Sequence, residues 1–291
     1  MGGPLALSAC VNLLAVAITT GGTARRALGV TLALASMATP WLVPREHSLL
    51  RATWVLVTFG SAMRVIDMAR GRWSFRARFI HSLSLVDTRR LRSARPEIDG
   101  RGLAEVSLWT LVGIFTYLAI PLASRWTGTA YWTARWSLAL VFIYALSSAV
   151  YRAVMVAYLA FGFVTPRLHI APAASRSVQE FWGERWNRIV SAWLSDTVLR
   201  PLARRRRPLW GAFAAFVVSA VFHAYLALVA VSWAMAWVML AFFLLQAAII
   251  ALERTLRVRA WRPVAGHAWT LAWMVGLSPM FTEPALRGFG V

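Results

Sequence analysis

The sequence predicts an all-α polytopic membrane protein, a bundle of about eight transmembrane helices with further helices at the cytoplasmic surface. Hydrophobic residues make up 59% of its 291 residues, and its mean hydropathy is +0.60. The apolar residues are also gathered into runs long enough to cross a bilayer. Together these two observations exclude the soluble fold classes.

Eight apolar runs are candidate spans. They are residues 3–20, 27–43, 49–68, 103–123, 131–161, 209–233, 234–252 and 264–281. The first run has no basic segment before it, because Arg25 and Arg26 follow it, so we expect a retained span rather than a cleaved signal peptide. No internal repeat or linker divides the chain, and residues 1–291 are expected to form one integral-membrane domain.

The charge distribution predicts the topology. All 31 basic residues are arginines, against 11 acidic residues, and the formal net charge is +20. Such a charge is typical of proteins that bind nucleic acid, but 24 of the arginines lie in the first, third, fifth and seventh loops. The positive-inside rule places those loops in the cytoplasm and both termini outside. We therefore expect membrane lipid and phosphorylated substrates as partners, no nucleic acid, and a location in a bacterial cytoplasmic membrane.

Two predicted cytoplasmic loops are long and are expected to hold surface helices. Residues 69–102 mix nine arginines with aromatic and aliphatic residues, which is typical of a basic helix lying on a membrane. Residues 177–194 are predicted as a second helix that begins with a capping box, Ser177 followed by Glu180. The arginine run 204–207 is expected to end this region before the chain enters the bilayer.

The second surface helix is predicted to be amphipathic, because its apolar residues recur on one side at about 100° per residue. That side carries Trp182, Trp186, Ile189, Val190 and Trp193. We expect it to lie in the membrane interface. Asn187 falls at the border of this face, where it either faces water or, because Gly183 leaves room beside it, contacts a ligand or another helix.

One ionisable residue, His223, lies deep inside a predicted span. About 14 residues of helix precede it, roughly 21 Å at 1.5 Å per residue. Small residues share its helix face at a spacing of four, namely Gly211, Ala215, Ser219 and Ala227. Such a stripe permits close helix packing around a structural histidine, or lines a tunnel with a functional one. The pattern alone leaves both interpretations open.

Other chemistries find little support in the sequence. Cys10 is the single cysteine, so neither a disulfide framework nor a cysteine metal site is expected. The chain shows no glycine-rich phosphate loop, no serine nucleophile elbow and no metal-ligand motif. We therefore expect neither a metal nor a cofactor.

Three motifs resemble those of the membrane-bound O-acyltransferases, and specifically of their wax-synthase-like branch. The first is Phe181-Trp182-Gly183-Glu184-Arg185-Trp186-Asn187, continued by Arg188 and by Arg200-Pro201-Leu202. The second is Ser219-Ala220-Val221-Phe222-His223, with Ala220 where the family usually has glycine. The third is the set of Trp269, Trp273, Pro279, Phe281 and Pro284 in the last predicted span. The motifs fall within residues 177–284.

The resemblance implies the helical fold of that family and an acyl-CoA:alcohol O-acyltransferase, similar to wax-ester synthases. His223 is then expected to act as general base on the acceptor hydroxyl. Asn187 is expected to orient the thioester or to stabilise the oxyanion. The other residues expected at the substrate are Trp182, Arg185, Trp186, Arg188 and Ser219. Arg185, Arg188 and Trp182 are suited to the phosphates and adenine of CoA.

The competing hypothesis is a non-catalytic transporter or lipid-binding membrane protein. Transporters of this size often show inverted repeats and paired broken helices, and no such symmetry is visible in the sequence. The resemblance implies acyl-CoA as donor and a hydrophobic alcohol as acceptor. A fatty alcohol, a sterol-like lipid and a hydroxylated secondary metabolite are all compatible acceptors.

Overall fold

The computed structural model describes residues 2–291, and its regular structure is helical except for one short strand pair. The strands β1 (Arg92–Ser93) and β2 (Phe163–Val164) are antiparallel. The α-helices, α1 to α12 in chain order, are Gly2–Ile18, Thr23–Ser36, Ser48–Arg70, Phe75–Leu83, Gly100–Ala119, Gly128–Ala160, Val178–Glu180, Arg188–Leu194, Arg200–Arg204, Pro208–Ala230, Trp233–Thr255 and Pro263–Gly288. The predicted all-α class is confirmed.

Within the described residues, five helices are long and apolar enough to cross a membrane. They are α3, α5 with its 3₁₀ extension to Arg125, α6, α10 and α11. Each of the eight predicted spans overlaps a helix, but the count of eight is not confirmed. α1 and α2 have 17 and 14 residues, which is shorter than the ~20 residues that cross a bilayer core. α12 has 26 residues but contains polar residues and has two prolines in its interior.

α5 shows the lipid-facing character of the outer surface. Leu108, Leu111, Phe115 and Leu118 recur along one side of this helix and are 55% to 72% exposed. A row of large apolar side chains at such exposure is stable where lipid rather than water surrounds it. With the five long apolar helices, this surface identifies the chain as an integral membrane protein.

The central bundle is built from helix pairs. α5 packs on α6, and α10 packs on α11, to which it is joined by only two residues. α12 lies against both α11 and α6, and α3 packs on α10. A buried cluster containing Phe242 and Phe243 of α11 joins α10, α11 and α12. This arrangement leaves one side of α10 facing the segment between α6 and α10.

The basic surface helix predicted within residues 69–102 is present as α4. Its N-terminus is capped by Ser74, whose hydroxyl accepts the N–H of Ala77. One side exposes Phe75, Phe79, Ile80 and Leu83. The other side buries Arg78 and His81. The helix is therefore amphipathic, with its apolar side uncovered by protein.

The continuous surface helix predicted over residues 177–194 is wrong. Its start is confirmed, since the Ser177 hydroxyl accepts the Glu180 N–H at 2.9 Å. The chain then forms a π-helical turn, Phe181–Arg185, becomes extended at Trp186 and restarts as α8 after Asn187. The φ angle of Asn187 is 38°, a left-handed conformation that no right-handed helix contains. A second π-helical turn, Ser195–Leu199, connects α8 to α9.

The tryptophan face of this segment packs on protein, so the expectation that the membrane interface covers this face is wrong, whereas the depth of the segment in the membrane stays a prediction. Trp193 is 7% exposed and meets Phe59 of α3 edge-on, with ring centroids 6.3 Å apart. Trp182 lies between Phe216 of α10 and Phe243 of α11. Periodicity identifies an apolar face correctly here, but it carries no information on whether lipid or protein covers that face.

Candidate active site

A cavity of about 510 Å³ lies where residues 177–194, the interrupted helix that we call the broken segment, meet α6, α10, α11 and α12. Aromatic and aliphatic side chains form much of its wall, including Ile143 of α6, Phe243 of α11 and Phe281 of α12. Five of the residues expected at a substrate line this cavity, namely Trp182, Trp186, Asn187, Ser219 and His223. A largely apolar cavity of this size, with a few polar groups, is typical of a site for a lipid-like ligand.

The ring of His223 is held by its own helix. Nδ1 lies 2.8 Å from the carbonyl oxygen of Ser219, one turn earlier in α10. Because a carbonyl oxygen only accepts, Nδ1 carries the proton, and Nε2 of the neutral ring keeps a free lone pair. The ring also packs on Phe243, with centroids 4.1 Å apart. Since His223 lines the cavity, this arrangement can supply a base to a bound ligand.

The stripe of small residues on α10 both packs closely on protein and lines the cavity, the two uses that its pattern allows. Ala215 and Ser219 line the cavity beside His223. Gly211 instead meets the second π-helical turn, where a Cβ would lie 2.8 Å from the carbonyl oxygen of Leu199. One end of the stripe therefore packs closely on protein, and its middle leaves the space that the cavity occupies.

Asn187 forms the break between the π-helical turn and α8. Asparagine adopts left-handed φ and ψ angles more readily than most residues. Its side-chain oxygen accepts the N–H of Val190 at 3.5 Å and so caps α8. Among residues 2–291, its side-chain amide nitrogen has no hydrogen-bond partner, and the residue lines the cavity. A ligand carbonyl in the cavity can therefore accept a hydrogen bond from this amide.

The loop Leu168–Ile170 runs alongside the break and pairs with its backbone. The carbonyl oxygen of Leu168 accepts the N–H of Arg188 at 2.9 Å, and the N–H of Ile170 donates to the carbonyl of Arg185 at 2.9 Å. Between them, Nδ1 of His169 accepts the N–H of Asn187 at 3.2 Å. A helix break exposes backbone donors that need partners, and this loop provides them.

His169 is a residue that the sequence analysis did not select. Its ring stacks on Trp186, with centroids 4.3 Å apart, and its Nε2 lies 3.1 Å from the hydroxyl oxygen of Ser147 in α6. Burial lowers the pKa of His169 to about 4, so the ring is neutral at physiological pH. The sequence offered no signal for it, because its partners lie 18 and 22 positions away.

A buried carboxylate anchors the start of the broken segment. Glu253 of α11 is 3% exposed and accepts the N–H groups of Val178 and Gln179 at 2.6 and 3.0 Å. It also accepts Nε1–H of Trp269 from α12, at 3.0 Å. A second contact follows one turn later, where Nε1–H of Trp182 donates to the buried side-chain oxygen of Gln246 at 3.0 Å. The segment is therefore fixed to α11.

The two arginines expected at a substrate do not line the cavity. Arg185 forms an ion pair with Glu180 at 2.6 Å, and Arg188 turns towards the carbonyl oxygen of Arg167. Burial alone would raise the pKa of Glu180, but the N–H of Arg176 and the guanidinium of Arg185 hold it below its usual value. Glu180 therefore stays charged at neutral pH and keeps Arg185 engaged.

Arg254, which the sequence analysis did not select, lines the cavity instead. It follows Glu253 at the end of α11, and it also lines an adjoining apolar cavity of about 470 Å³ beside Trp210 and Phe213. Arg254 is exposed, and among residues 2–291 its guanidinium has no ion-pair partner within 4 Å. An arginine in this position can meet an anionic group at the cavity rim.

A group of residues that could hold a metal lies outside this cavity, although the sequence analysis expected none. Potential ligand atoms of Asp67, His81 and Asp87 lie within 4.8 Å of one another. Arg89 stands among them, 2.7 Å from Asp67 and 2.8 Å from Asp87. The hydrogen bonds that the Arg89 guanidinium donates to the Asp87 carboxylate raise the pKa of Arg89, so the guanidinium is charged and already offsets the charge of the carboxylates. The group is therefore an ion-pair network that joins α3, α4 and the loop after α4.

The chain is similar to a known protein family and to several known proteins. The sequence profile of the "Membrane bound O-acyl transferase family" matches residues 165–245. The matched region contains His169, Trp182, Asn187 and His223, but not the parts of the wall contributed by α6 and α12. It includes the whole broken segment and the whole of α10.

Three plant proteins illustrate the similarity. The chain is 33% identical over 129 residues to the probable long-chain-alcohol O-fatty-acyltransferase 2 of Arabidopsis thaliana, covering 40% of this chain and 38% of that protein. It is 36% identical over 123 residues to the probable long-chain-alcohol O-fatty-acyltransferase 7, covering 38% and 36%. It is 32% identical over 102 residues to the acyl-CoA–sterol O-acyltransferase 1, covering 31% and 29%. The chain thus matches less than two-fifths of the length of each of these relatives.

Proposed function

We propose that this chain belongs to the membrane bound O-acyl transferase family, whose profile matches residues 165–245, and that it transfers an acyl group from acyl-CoA to the hydroxyl of a hydrophobic alcohol. The observation that carries the proposal is the convergence of the two motif residues, His223 and Asn187, on one largely apolar cavity inside the helical bundle. The relatives that match it are named for acyl transfer to long-chain alcohols or to a sterol. A long-chain alcohol is accordingly the first acceptor to test.

The mechanism begins with proton transfer to His223. Its Nε2 removes the proton from the acceptor alcohol as the alcohol oxygen attacks the thioester carbonyl carbon. The new C–O bond forms, and the carbonyl oxygen takes up negative charge in the tetrahedral intermediate. The C–S bond then breaks, and the imidazolium returns its proton to the CoA thiolate. The Ser219 carbonyl, which accepts from Nδ1–H, stabilises the imidazolium that forms between these two steps.

Asn187 is proposed to act on the oxyanion. Its free amide N–H group is suited to donate to the thioester carbonyl oxygen, and this hydrogen bond strengthens as negative charge develops. The apolar wall of the cavity limits the access of water, which would otherwise compete with the alcohol for the thioester. The two residues thus take separate roles, one at the attacking alcohol and one at the carbonyl.

The CoA moiety is proposed to lie at the rim near Arg254. An arginine that lines the cavity and that has no acidic partner within 4 Å among residues 2–291 is suited to a phosphate. Arg185 is less suited because Glu180 engages it. In the topology predicted from the arginine distribution, with eight spans and both termini outside, this rim faces the cytoplasm. The single domain over residues 1–291 and the bacterial cytoplasmic membrane stay part of the same proposal.

Acyl transfer can be tested with the purified protein in lipid nanodiscs. Labelled acyl-CoAs of several chain lengths would be incubated with long-chain alcohols, a sterol and short alcohols, and ester formation measured. We expect ester from at least one pair, and a loss of about 10² to 10⁴ in turnover for His223→Ala. His47→Ala, away from the cavity, is the matched control. Full turnover in His223→Ala, with folding unchanged, would exclude the proposed mechanism.

A further inference from the structure

We propose that His169 is a positioning residue that holds Asn187 in its left-handed conformation, with the amide directed to the cavity. The direct observation is the 3.2 Å hydrogen bond from the Asn187 N–H to Nδ1 of His169. The kinetic consequence rests on the proposed acyl transfer, in which Asn187 binds the thioester oxygen. The structural consequence does not depend on that activity.

The local sequence favours a conformation different from the observed one. The capping box at Ser177 and the apolar periodicity of residues 177–194 predict an uninterrupted helix, in which Asn187 is right-handed. The structure instead interrupts the helix at Trp186 and Asn187. Something outside the segment must therefore stabilise the break, and the loop Leu168–Ile170 makes the hydrogen bonds that do so.

Of the three hydrogen bonds between this loop and the break, only the one accepted by the His169 ring requires a particular side chain. The N–H of Arg188 and the carbonyl of Arg185 pair with loop backbone, which any residue supplies. The N–H of Asn187 instead donates to a ring nitrogen. Among the described residues it has no other acceptor, so replacing the imidazole leaves this donor without its partner.

A directed chain of hydrogen bonds fixes the imidazole tautomer. The Ser147 hydroxyl donates to the carbonyl oxygen of Tyr144 at 3.0 Å, so its oxygen is free to accept Nε2–H of His169 at 3.1 Å. Nε2 therefore carries the ring proton, and Nδ1 accepts the N–H of Asn187. His223 shows the opposite arrangement, since its Nδ1 carries the proton. The two histidines thus hold different tautomers, and only His223 offers a free lone pair to the cavity.

Ring packing keeps His169 from turning. Its ring lies 4.3 Å from Trp186 and 5.5 Å from Tyr144 by centroid distance. Trp186 is the residue that precedes Asn187. The His169 ring therefore holds both residues of the break, Trp186 by ring packing and Asn187 by a hydrogen bond. Ser147 and Trp186 also line the cavity, so the same contacts set part of its wall.

Replacing His169 with asparagine or with glutamine preserves one or the other of the two hydrogen bonds that its ring makes, to Asn187 and to Ser147. In His169→Asn, the shorter side chain places its oxygen near the position of Nδ1, where it can accept the Asn187 N–H. In His169→Gln, the longer side chain reaches the position of Nε2 and retains the contact with Ser147. His169→Leu retains neither hydrogen bond. We expect kcat to fall in the order wild type, Asn, Gln, Leu, with His169→Leu lowered about 10- to 100-fold and KM for the acyl donor changed less.

A double-mutant cycle tests whether His169 acts through Asn187. If it does, His169→Leu lowers kcat little further in a protein that already carries Asn187→Ala. Wild-type kcat in His169→Leu, or independent multiplication of the two effects, would overturn the inference. So would a kcat order in which Gln exceeds Asn, since that order shows that the contact with Ser147, and not the one with Asn187, is the contact that matters.

Hydrogen exchange provides a readout that needs no activity. Mass spectrometry of peptides covering residues 185–190 should show faster exchange in His169→Leu and protection closer to wild type in His169→Asn. Equal protection in all variants would refute the positioning role whether or not the protein transfers acyl groups. Faster exchange together with absent turnover in the wild type would instead place the failure in the proposed function.

Discussion

Glu253, buried in α11, accepts the N–H of Val178 at 2.6 Å, at the first residue of α7. The same carboxylate also accepts from Gln179 and Trp269. Three donors from two other helices therefore converge on one side chain. The position of the broken segment over the cavity depends on this convergence, because no long helix carries the segment itself.

Glu253→Gln should destabilise the protein. The amide keeps one acceptor oxygen but turns an N–H₂ group towards backbone donors, and hydrogen bonds to charged groups contribute about 1.5 to 3 kcal/mol each. We expect a lower midpoint of thermal unfolding in detergent, with a loss of about 1.5 to 3 kcal/mol in the free energy of unfolding. Glu184→Gln is the control, because Glu184 is exposed and its ion pair with Arg259 is long, at 3.9 Å, so that losing its charge should change the stability little. Equal midpoints would show that the anchor is unimportant.

Asn187→Asp should separate the two tasks of Asn187. The carboxylate can still cap α8 by accepting the Val190 N–H, and aspartate tolerates the left-handed conformation. It cannot donate to a thioester oxygen. We therefore expect near-normal thermal stability with turnover lowered by about 10² to 10³, as when an oxyanion donor is removed. Turnover close to wild type would assign Asn187 to capping alone.

Arg254→Gln should weaken the binding of the acyl donor without slowing transfer. Loss of one charge-assisted contact to a phosphate raises KM for acyl-CoA about tenfold, and kcat should stay close to wild type. The dependence of KM on ionic strength should also decrease. Arg259→Gln, in the loop that follows α11, is the matched control and should behave as wild type. A changed kcat with unchanged KM would contradict a role at the phosphates.

The low pKa of His169 predicts a pH dependence of stability. In the unfolded chain this histidine protonates near pH 6.5, whereas in the folded protein it does so near pH 4. Between these values the unfolded state binds more protons, so folding weakens as the pH falls. At pH 5 the effect of this residue reaches at most about 2 kcal/mol.

This dependence is measured as the shift of the thermal midpoint between pH 7 and pH 5. His169→Asn removes the titrating ring, so its midpoint should fall less than that of the wild type over the same step. His47→Asn, at the start of α3, should follow the wild type. Identical shifts in the wild type and His169→Asn would show that the ring is protonated without cost in the folded protein.

The start of the broken segment was predictable, but its interruption was not. Ser177 and Glu180 form a local signal, and the structure confirms that Ser177 caps the helix. The break at Asn187 depends on a loop that reaches it from 18 positions earlier. Periodicity describes only how residues within one helix relate to each other. Periodicity therefore gives no information on partners elsewhere in the chain.

The same limit explains which site residues were found. His223 was identified because a histidine inside an apolar span is unusual whatever surrounds it. His169 lies in an irregular loop, where nothing in the local sequence distinguishes it from a solvated residue. Arg185 fitted a motif, but its pairing with Glu180 depends on the π-helical turn between them. Contacts created by a backbone irregularity are visible only once the backbone is known.

The polar groups of the cavity and the parts of its wall formed by α6 and α12 come from different parts of the chain. Asn187 and His223 lie within residues 165–245, the region that matches the family profile, whereas Ile143 and Phe281 lie outside it. Substitutions in α6 or α12 can therefore reshape the space around a ligand and leave the reactive groups in place. Natural divergence can alter the preferred ligand of the cavity by the same route. If the proposed acyl transfer holds, a chimera that exchanges α6 with that of a relative is thus a direct way to change the acceptor.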